Sequence, residues 1–274
     1  MTIDWTNLEQ FTSPAVIPTE WTAVIPAAGR ATRLGFDKPK ILYPVAGRTI
    51  LEWLLDFLAP SCSRIVIVLS PGGKELVEPE LERLIPGRFE IVIQDVPLGM
   101  GDAVQVALPA VHTPRVALVW GDQVALRRAA VDACLRLHAG RLQPALTCPT
   151  VFRAHPYVHF ERDASGRISG LRQAREGDRM PASGESDTGF FCCQTATLRE
   201  LLASTEADPG QRGRATREFN FLPVIPVAAR LGLTVLTPHL MTVEETVGIN
   251  SAADATIVES YLQSSHAGAE PRTS

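Results

Sequence analysis

Three short stretches of this chain combine small residues, cations and acids in patterns that suit phosphate chemistry. Residues 21–58 read WTAVIPAAGRATRLGFDKPKILYPVAGRTILEWLLDFL. An apolar run leads into Ala27-Ala28-Gly29, and the following loop carries Arg30, Arg33, Lys38 and Lys40. Small residues let backbone N–H groups approach a triphosphate closely, which larger side chains would prevent. Arg33 and Lys40 could then offset charge on the β- and γ-phosphates or on the transition state. The pattern lacks GxxxxGK[ST], so a Walker-type loop is excluded. Further on, Gly99, Met100 and Gly101 in PLGMGDAVQVAL open a helical stretch. Free N–H groups at such a start suit a nucleobase or a phosphate, and the amide of Gln94, just before, could pair with a pyrimidine edge. Gly121 and Asp122 close the apolar run RVALVW. A carboxylate at the carboxyl end of a buried strand, beside a triphosphate, is placed to hold magnesium. Asn250, in ETVGINSAADA, reads on its own as an N-cap before the last helix.

The elements that must position these groups alternate. TAVIPAAG, RIVIVLS, FEIVIQ and RVALVW are short Val- and Ile-rich runs of buried-strand character. ILEWLLDFL, KELVEPELERLI, GDAVQVAL and RAAVDACLRLH lie between or after them with helical spacing. That order predicts an α/β fold, a doubly wound and mostly parallel sheet of the Rossmann kind with helices on both faces. The second half predicts a small α+β lobe. YVHFERDASGRISGLRQ reads as two strands around the turn at 163–166 and SDTGFFCCQ as another strand. FLPVIPVAARLG reads as a helix with prolines near its start, GLTVLTP as a late strand and SAADATIVESYLQ as a final helix. Residues 1–20 are expected to be an N-terminal extension, 21–140 a nucleotide-binding half, 141–262 an acceptor-binding half and 263–274 a disordered tail.

Composition narrows the partners. The chain has 274 residues, 45% hydrophobic and 20% charged, with a net charge of −4. No basic field invites nucleic acid or an anionic membrane, and no apolar run approaches the ~20 residues needed to span a bilayer. The start, MTIDWTNLEQFTSP, lacks the basic-then-apolar order of a signal peptide, so a cytoplasmic location is expected. The five cysteines, Cys62, Cys134, Cys148, Cys192 and Cys193, show no CxxC spacing and read as reduced packing residues.

Together these motifs resemble a known family. AAGRATR followed by PK resembles the AAGxGxR…PK signature of the nucleotidyltransferases that act on sugar phosphates, in particular the pyrophosphorylase domain of bacterial N-acetylglucosamine-1-phosphate uridylyltransferase. The resemblance runs over roughly residues 21 to 262, with Ala31 standing where the family has its second glycine. The family's LGTGHA loop, which contacts the base, corresponds to LGMGDA here; Met100 replaces a threonine that helps read uracil, and Asp102 a histidine. The resemblance makes Asp122 a magnesium ligand and Asn250, in a match to VxGVN, the second protein ligand. It also assigns an acceptor site. SDTGFF resembles the family's NTGIY strand, with Asp187 for asparagine and Thr188 and Gly189 retained. Gln173 and Arg175 stand where the family has a sugar-holding glutamate and a phosphate-binding lysine.

What the resemblance implies is a magnesium-dependent transfer of a nucleoside monophosphate from an NTP, UTP favoured, to a sugar or cyclitol phosphate, with release of pyrophosphate. The changes at Gln173 and Asp187 point away from N-acetylglucosamine 1-phosphate as acceptor. The hexapeptide-repeat acetyltransferase domain of the bifunctional relatives is not seen in these residues. A cytidylyltransferase acting on a non-sugar alcohol phosphate and a non-catalytic regulatory homologue are the alternatives. A homo-oligomer is compatible with either.

Overall fold

The computed structural model describes residues 9–29, 32–208 and 212–267. Arg30 and Ala31 therefore lie outside the described residues. The first half alternates as expected: β1 (Trp21–Pro26), β2 (Pro44–Val45), β3 (Arg48–Thr49), α1 (Ile50–Leu58), β4 (Arg64–Leu69), α2 (Lys74–Leu84), β5 (Phe89–Ile93), α3 (Met100–Ala107), β6 (Arg115–Val119) and α4 (Arg128–His138). The second half contains β7 (Leu146–Thr147), β8 (Thr150–Ala154), β9 (Val158–Arg162), β10 (Ile168–Gln173), β11 (Ser183–Asp187), β12 (Phe190–Gln194), α5 (Thr195–Ala207), α6 (Val224–Arg230), β13 (Val235–Leu236) and α7 (Ala252–Ala267).

The central sheet has seven strands in the order β13-β7-β12-β6-β1-β4-β5. Among the described residues β12 alone runs antiparallel to its neighbours, and the rest of the sheet is parallel. Strand periodicity builds a core on each face. Ala23, Ile25, Ile65, Ile67, Ala117, Val119 and Cys192 face one layer with α1, α2, α4 and α7. Val24, Val66, Val68, Val116, Leu118 and Cys193 face the other with α3, α5 and α6. Cys192 and Cys193 thus point to opposite faces, and all five cysteines are buried and free. Burial pushes their thiols up, that of Cys62 to about 12, so they act as small apolar fillers.

Local signals set the helix that follows the phosphate loop. Thr49 caps α1, its hydroxyl accepting from the Glu52 N–H while the Glu52 carboxylate accepts from the Thr49 N–H. Such a box contributes about 1 kcal/mol. Buried Trp53 donates its indole N–H to the Val45 carbonyl, tying α1 to the β2–β3 hairpin.

Two expectations are corrected. SDTGFFCCQ is two strands, not one: β11 pairs with β8, whereas β12 joins the central sheet. The break falls at Thr188-Gly189, where Gly189 takes φ +74° and its N–H donates to the Asp187 carboxylate. A left-handed residue cannot continue a ladder. The final helix also runs on to Ala267, into the stretch expected to be a disordered tail; residues 268–274 lie outside the described residues. Helix α5, the β2–β3 hairpin and strands β7 and β8 are further elements with no counterpart in the sequence pattern. The small lobe is the β9–β10 and β8–β11 pairs, joined where Arg162 on β9 meets Glu185 on β11 at 2.5 Å.

Candidate active site

The sheet reverses direction of growth around β1. The chain goes from β1 outward through β4 and β5, then returns through α3 to place β6 on the other side of β1. In an open α/β sheet, ligands bind outside the carboxyl ends of the strands at such a switch point. Ala27, Ala28 and Gly29 leave the end of β1, and Gly121 and Asp122 follow the end of the adjacent β6. The Ala27 N–H is held by the Val68 carbonyl and the Gly121 N–H by that of Pro26. Any Cβ on Gly121 would lie 2.7 Å from the Pro26 oxygen, so only glycine lets these two turns touch.

Three of the expected residues meet at one point. The Lys40 ammonium donates to Asp122 Oδ2 at 2.8 Å and to Asn250 Oδ1 at 2.8 Å, across 82 and 210 positions of sequence. Lys40 opens a short 3-10 turn after Pro39, and its side chain is only 15% exposed. Asn250 is not the N-cap of α7. Ser251 takes that place, its hydroxyl accepting from the Asp254 N–H and donating to the Asp254 carboxylate. The Asn250 side chain is thereby free to turn to Lys40. Gly248 makes the approach possible, since a Cβ there would sit 3.1 Å from Asp122 Oδ1.

A cleft of about 790 Å³ opens beside this cluster, lined by Arg33, Met100, Asp122, Gln173, Arg175, Asp187 and Asn250 from the expected set. That volume fits a nucleotide-sized ligand. Burial raises the Asp187 carboxyl above its usual range, opposed by the Gly189 N–H, by Arg153 and by the Trp120 side chain. Arg175 is ion-paired with Glu218 at 2.8 Å. Of the other expected residues, Ala27, Ala28, Gly29, Lys40 and Gly99 do not line this cleft, and Gln94 and Thr188 are turned inward. Gln94 is buried, and its amide donates inward to the Gly99 carbonyl at 3.1 Å and to Asp102 at 2.6 Å, so it braces the glycine loop. Thr188 is buried too, and its hydroxyl has no partner among the described residues.

The glycine loop is seated against a distant segment. Gly101 donates to the Phe219 carbonyl at 2.8 Å, and Phe219 donates to that of Leu98 at 2.8 Å. Gly99 has φ +121°, and a Cβ there would fall 2.4 Å from the Phe219 oxygen. The 213–220 segment is in turn gathered by Glu176, which accepts from the Ala215 and Thr216 N–H groups, the Thr216 hydroxyl and the Asn220 amide. Burial alone would raise the Glu176 carboxyl, but these donors hold it below its usual range.

Sequence reasoning missed Trp120, Arg153, Tyr157, Asn220 and Phe221 on the cleft wall. Trp120 immediately precedes Gly121-Asp122 and packs on Phe191 and Phe221 at 5.0 and 5.5 Å between centroids, an aromatic floor its position could have flagged. Nothing in the sequence marks Arg153.

Magnesium fits the donor set. A carboxylate and an amide oxygen that already hold one cation, the Lys40 ammonium, are the hard oxygen donors magnesium prefers, and it commonly takes one or two protein oxygens alongside substrate phosphates.

A switch-point crevice with a carboxylate and an amide oxygen on its wall, both held by a lysine beside it, marks the nucleotidyltransferase class. The profile of the MobA-like NTP transferase domain matches residues 23–187, and the chain belongs to that family. It is 29% identical over 232 residues to the bifunctional protein GlmU of Carboxydothermus hydrogenoformans, covering 83% of this chain and 49% of that protein. To the same protein of Cupriavidus pinatubonensis it is 31% identical over 247 residues, 88% of this chain and 51% of the relative. The chain thus spans about half the length of the curated relatives it matches. Among solved structures, the inositol-1-phosphate CTP transferase from T. maritima shares the fold with a TM-score of 0.67 at 18% identity, over 92% of this chain and 98% of that one.

Proposed function

We propose that this chain transfers a nucleoside monophosphate from an NTP to the phosphate of a sugar or cyclitol, releasing pyrophosphate. The observation that carries the reading is the meeting of Lys40, Asp122 and Asn250 at the mouth of the β1 loop. Asp122 and Asn250 would hold magnesium, which supplies charge neutralisation on the triphosphate when bound. Lys40, released from those oxygens, is in reach of the departing pyrophosphate, and Arg33 lines the same cleft. The Ala28-Gly29 backbone after β1 would cradle the triphosphate, and the Gly99–Gly101 loop would border the base. The acceptor occupies the wall of Gln173 and Asp187, and its phosphate oxygen attacks the α-phosphorus in line. No protein nucleophile is needed; positioning and charge do the work.

The base and the acceptor are decided together by one assay. Pyrophosphate release is measured for CTP, UTP, ATP and GTP against glucose 1-phosphate, N-acetylglucosamine 1-phosphate, myo-inositol 1-phosphate and, as a non-sugar alcohol phosphate, glycerol 3-phosphate, with magnesium. The expected outcome is turnover with a pyrimidine triphosphate and an acceptor other than N-acetylglucosamine 1-phosphate. Gln173 and Asp187 replace the side chains the relatives devote to that sugar, which favours this acceptor order. No pyrophosphate from any pairing would overturn the reading. A purely alcohol-phosphate acceptor would move it to the cytidylyltransferase alternative.

A further inference from the structure

The resemblance to the uridylyltransferases puts the acceptor phosphate on Arg175. The charges in the cleft say otherwise. Arg175 donates to Glu218 at 2.8 Å and lies 3.9 Å from Glu176, so its charge is already matched by carboxylates. Both partners belong to the network that shapes the 213–220 segment, and that segment seats the Gly99–Gly101 loop. Arg175 is therefore built into the nucleotide side of the cleft.

Arg153, on β8, lines the same cleft with a different environment. Its guanidinium donates to the Thr246 hydroxyl and, at 3.4 Å, to the Thr246 carbonyl. No carboxylate lies within ion-pair distance of it among the described residues, and its Nε has no partner there. Burial lowers its pKa and the charge of Asp187 only partly offsets this, as expected for a guanidinium short of an anion. Its position matters equally. Thr246 is four residues before Asn250, and between them the Ile249 N–H donates to the Asp122 carbonyl at 3.2 Å. A chain of direct contacts thus runs from Arg153 through Thr246–Asn250 to Lys40 and Asp122, the end of the cleft where an attacking phosphate must sit. Asp187 lies on the same cleft wall, its carboxylate accepting from the Gly189 N–H.

We infer that Arg153, not Arg175, is the anchor for the acceptor's phosphate, held by Thr246 beside the Asp122–Asn250 pair. The inference rests on the transferase reading above for the word acceptor, but the anion site stands on its own geometry. A phosphate monoester dianion matches a guanidinium that lacks a carboxylate partner, and a planar donor fork suits it better than a point charge.

The test measures binding as well as turnover. Affinities of wild type, Arg153→Ala, Arg153→Met, Arg153→Lys and Arg175→Ala for myo-inositol 1-phosphate and glucose 1-phosphate are taken by calorimetry. KM values for acceptor and NTP follow from pyrophosphate release. Arg153→Ala should weaken acceptor affinity roughly 10- to 100-fold, the range for losing one charged hydrogen-bonding partner, while KM for NTP stays near wild type. Arg153→Lys should fall between. Arg153→Met keeps the apolar stem and serves if the alanine variant folds poorly. Arg175→Ala should act more on the NTP than on the acceptor. The inference is overturned if Arg175→Ala costs more acceptor affinity than Arg153→Ala, if Arg153 variants raise KM for NTP instead, or if wild type binds neither phosphate. Phosphate binding that needs Arg153 without pyrophosphate release would sink the transferase reading and keep the anion site. Turnover with acceptor KM unchanged in Arg153→Ala would do the reverse.

Discussion

Lys40 holds its position through two oxygens rather than through solvent, and this decides what its loss should do. Its side chain is largely covered, yet it contributes to no apolar core, so Lys40→Ala should fold normally. Removing a charge that acts on the departing pyrophosphate should lower kcat about 10²-fold or more, by analogy with the loss of one electrostatic donor. Asp122→Ala should cost at least as much, because it removes the proposed metal oxygen and leaves Lys40 with Asn250 alone. Lys38, two positions earlier and exposed, is the internal control and should tolerate alanine. Pyrophosphate release by the three purified variants checks all of this. Normal turnover in Lys40→Ala with an inactive Lys38→Ala would put the loop register wrong.

At the scale of elements, the glycine loop before α3 depends on a neighbour more than a hundred residues away. Gly99 sits at φ +121° against the Phe219 carbonyl, and a methyl group 2.4 Å from that oxygen cannot be accommodated without moving the loop. Gly99→Ala should therefore displace the Leu98–Gly101 stretch from Phe219 and lose its two backbone hydrogen bonds. The strain is worth about 1–3 kcal/mol. Because the helix α3 is anchored independently by buried Ala103, Val104 and Ala107, the damage should stay at its first turn. KM for the NTP should rise about tenfold or more, with a smaller change for the acceptor. Steady-state kinetics with each substrate varied in turn measures the split, and an unchanged KM for NTP would remove the loop from the nucleotide site.

The whole molecule carries a pH dependence in its core. His138 ends α4 fully buried, its Nδ1 3.0 Å from the Thr147 hydroxyl on β7 and its ring edge-on to Trp21 at 5.6 Å. Burial, aided by Arg115, lowers its pKa to about 3 from an ordinary 6.5. The native state thus keeps the ring neutral where the unfolded chain protonates it. Between those two values the unfolded state binds more protons, so stability is fully present above about pH 6.5 and falls with pH until about pH 3. By about pH 4.5 this group alone should cost roughly 2–3 kcal/mol relative to neutral pH. His138→Phe fills similar space and cannot protonate, so its urea-unfolding stability should lose less between about pH 7.5 and pH 4.5 than wild type does. Parallel pH curves for the two proteins would refute the assignment.

Local chemistry made much of this protein legible from its sequence alone. The alternation of Val- and Ile-rich runs with helical spacing determined the doubly wound sheet, because burial on both faces of a parallel sheet leaves a strong periodic signature in each strand and helix. The Ala27–Lys40 loop and the Gly121-Asp122 turn were readable because small residues and carboxylates at strand ends have few other uses. What the tertiary structure decided is every relation between distant segments. It separated β11 from β12 through one left-handed glycine, turned Asn250 from a helix cap toward Lys40, and drew Gln94 inward to brace a loop. Above all, it paired Arg175 with Glu218 while leaving Arg153 without a carboxylate at ion-pair distance among the described residues. Whether a guanidinium is free depends on which carboxylates fold against it, and no spacing along the chain records that.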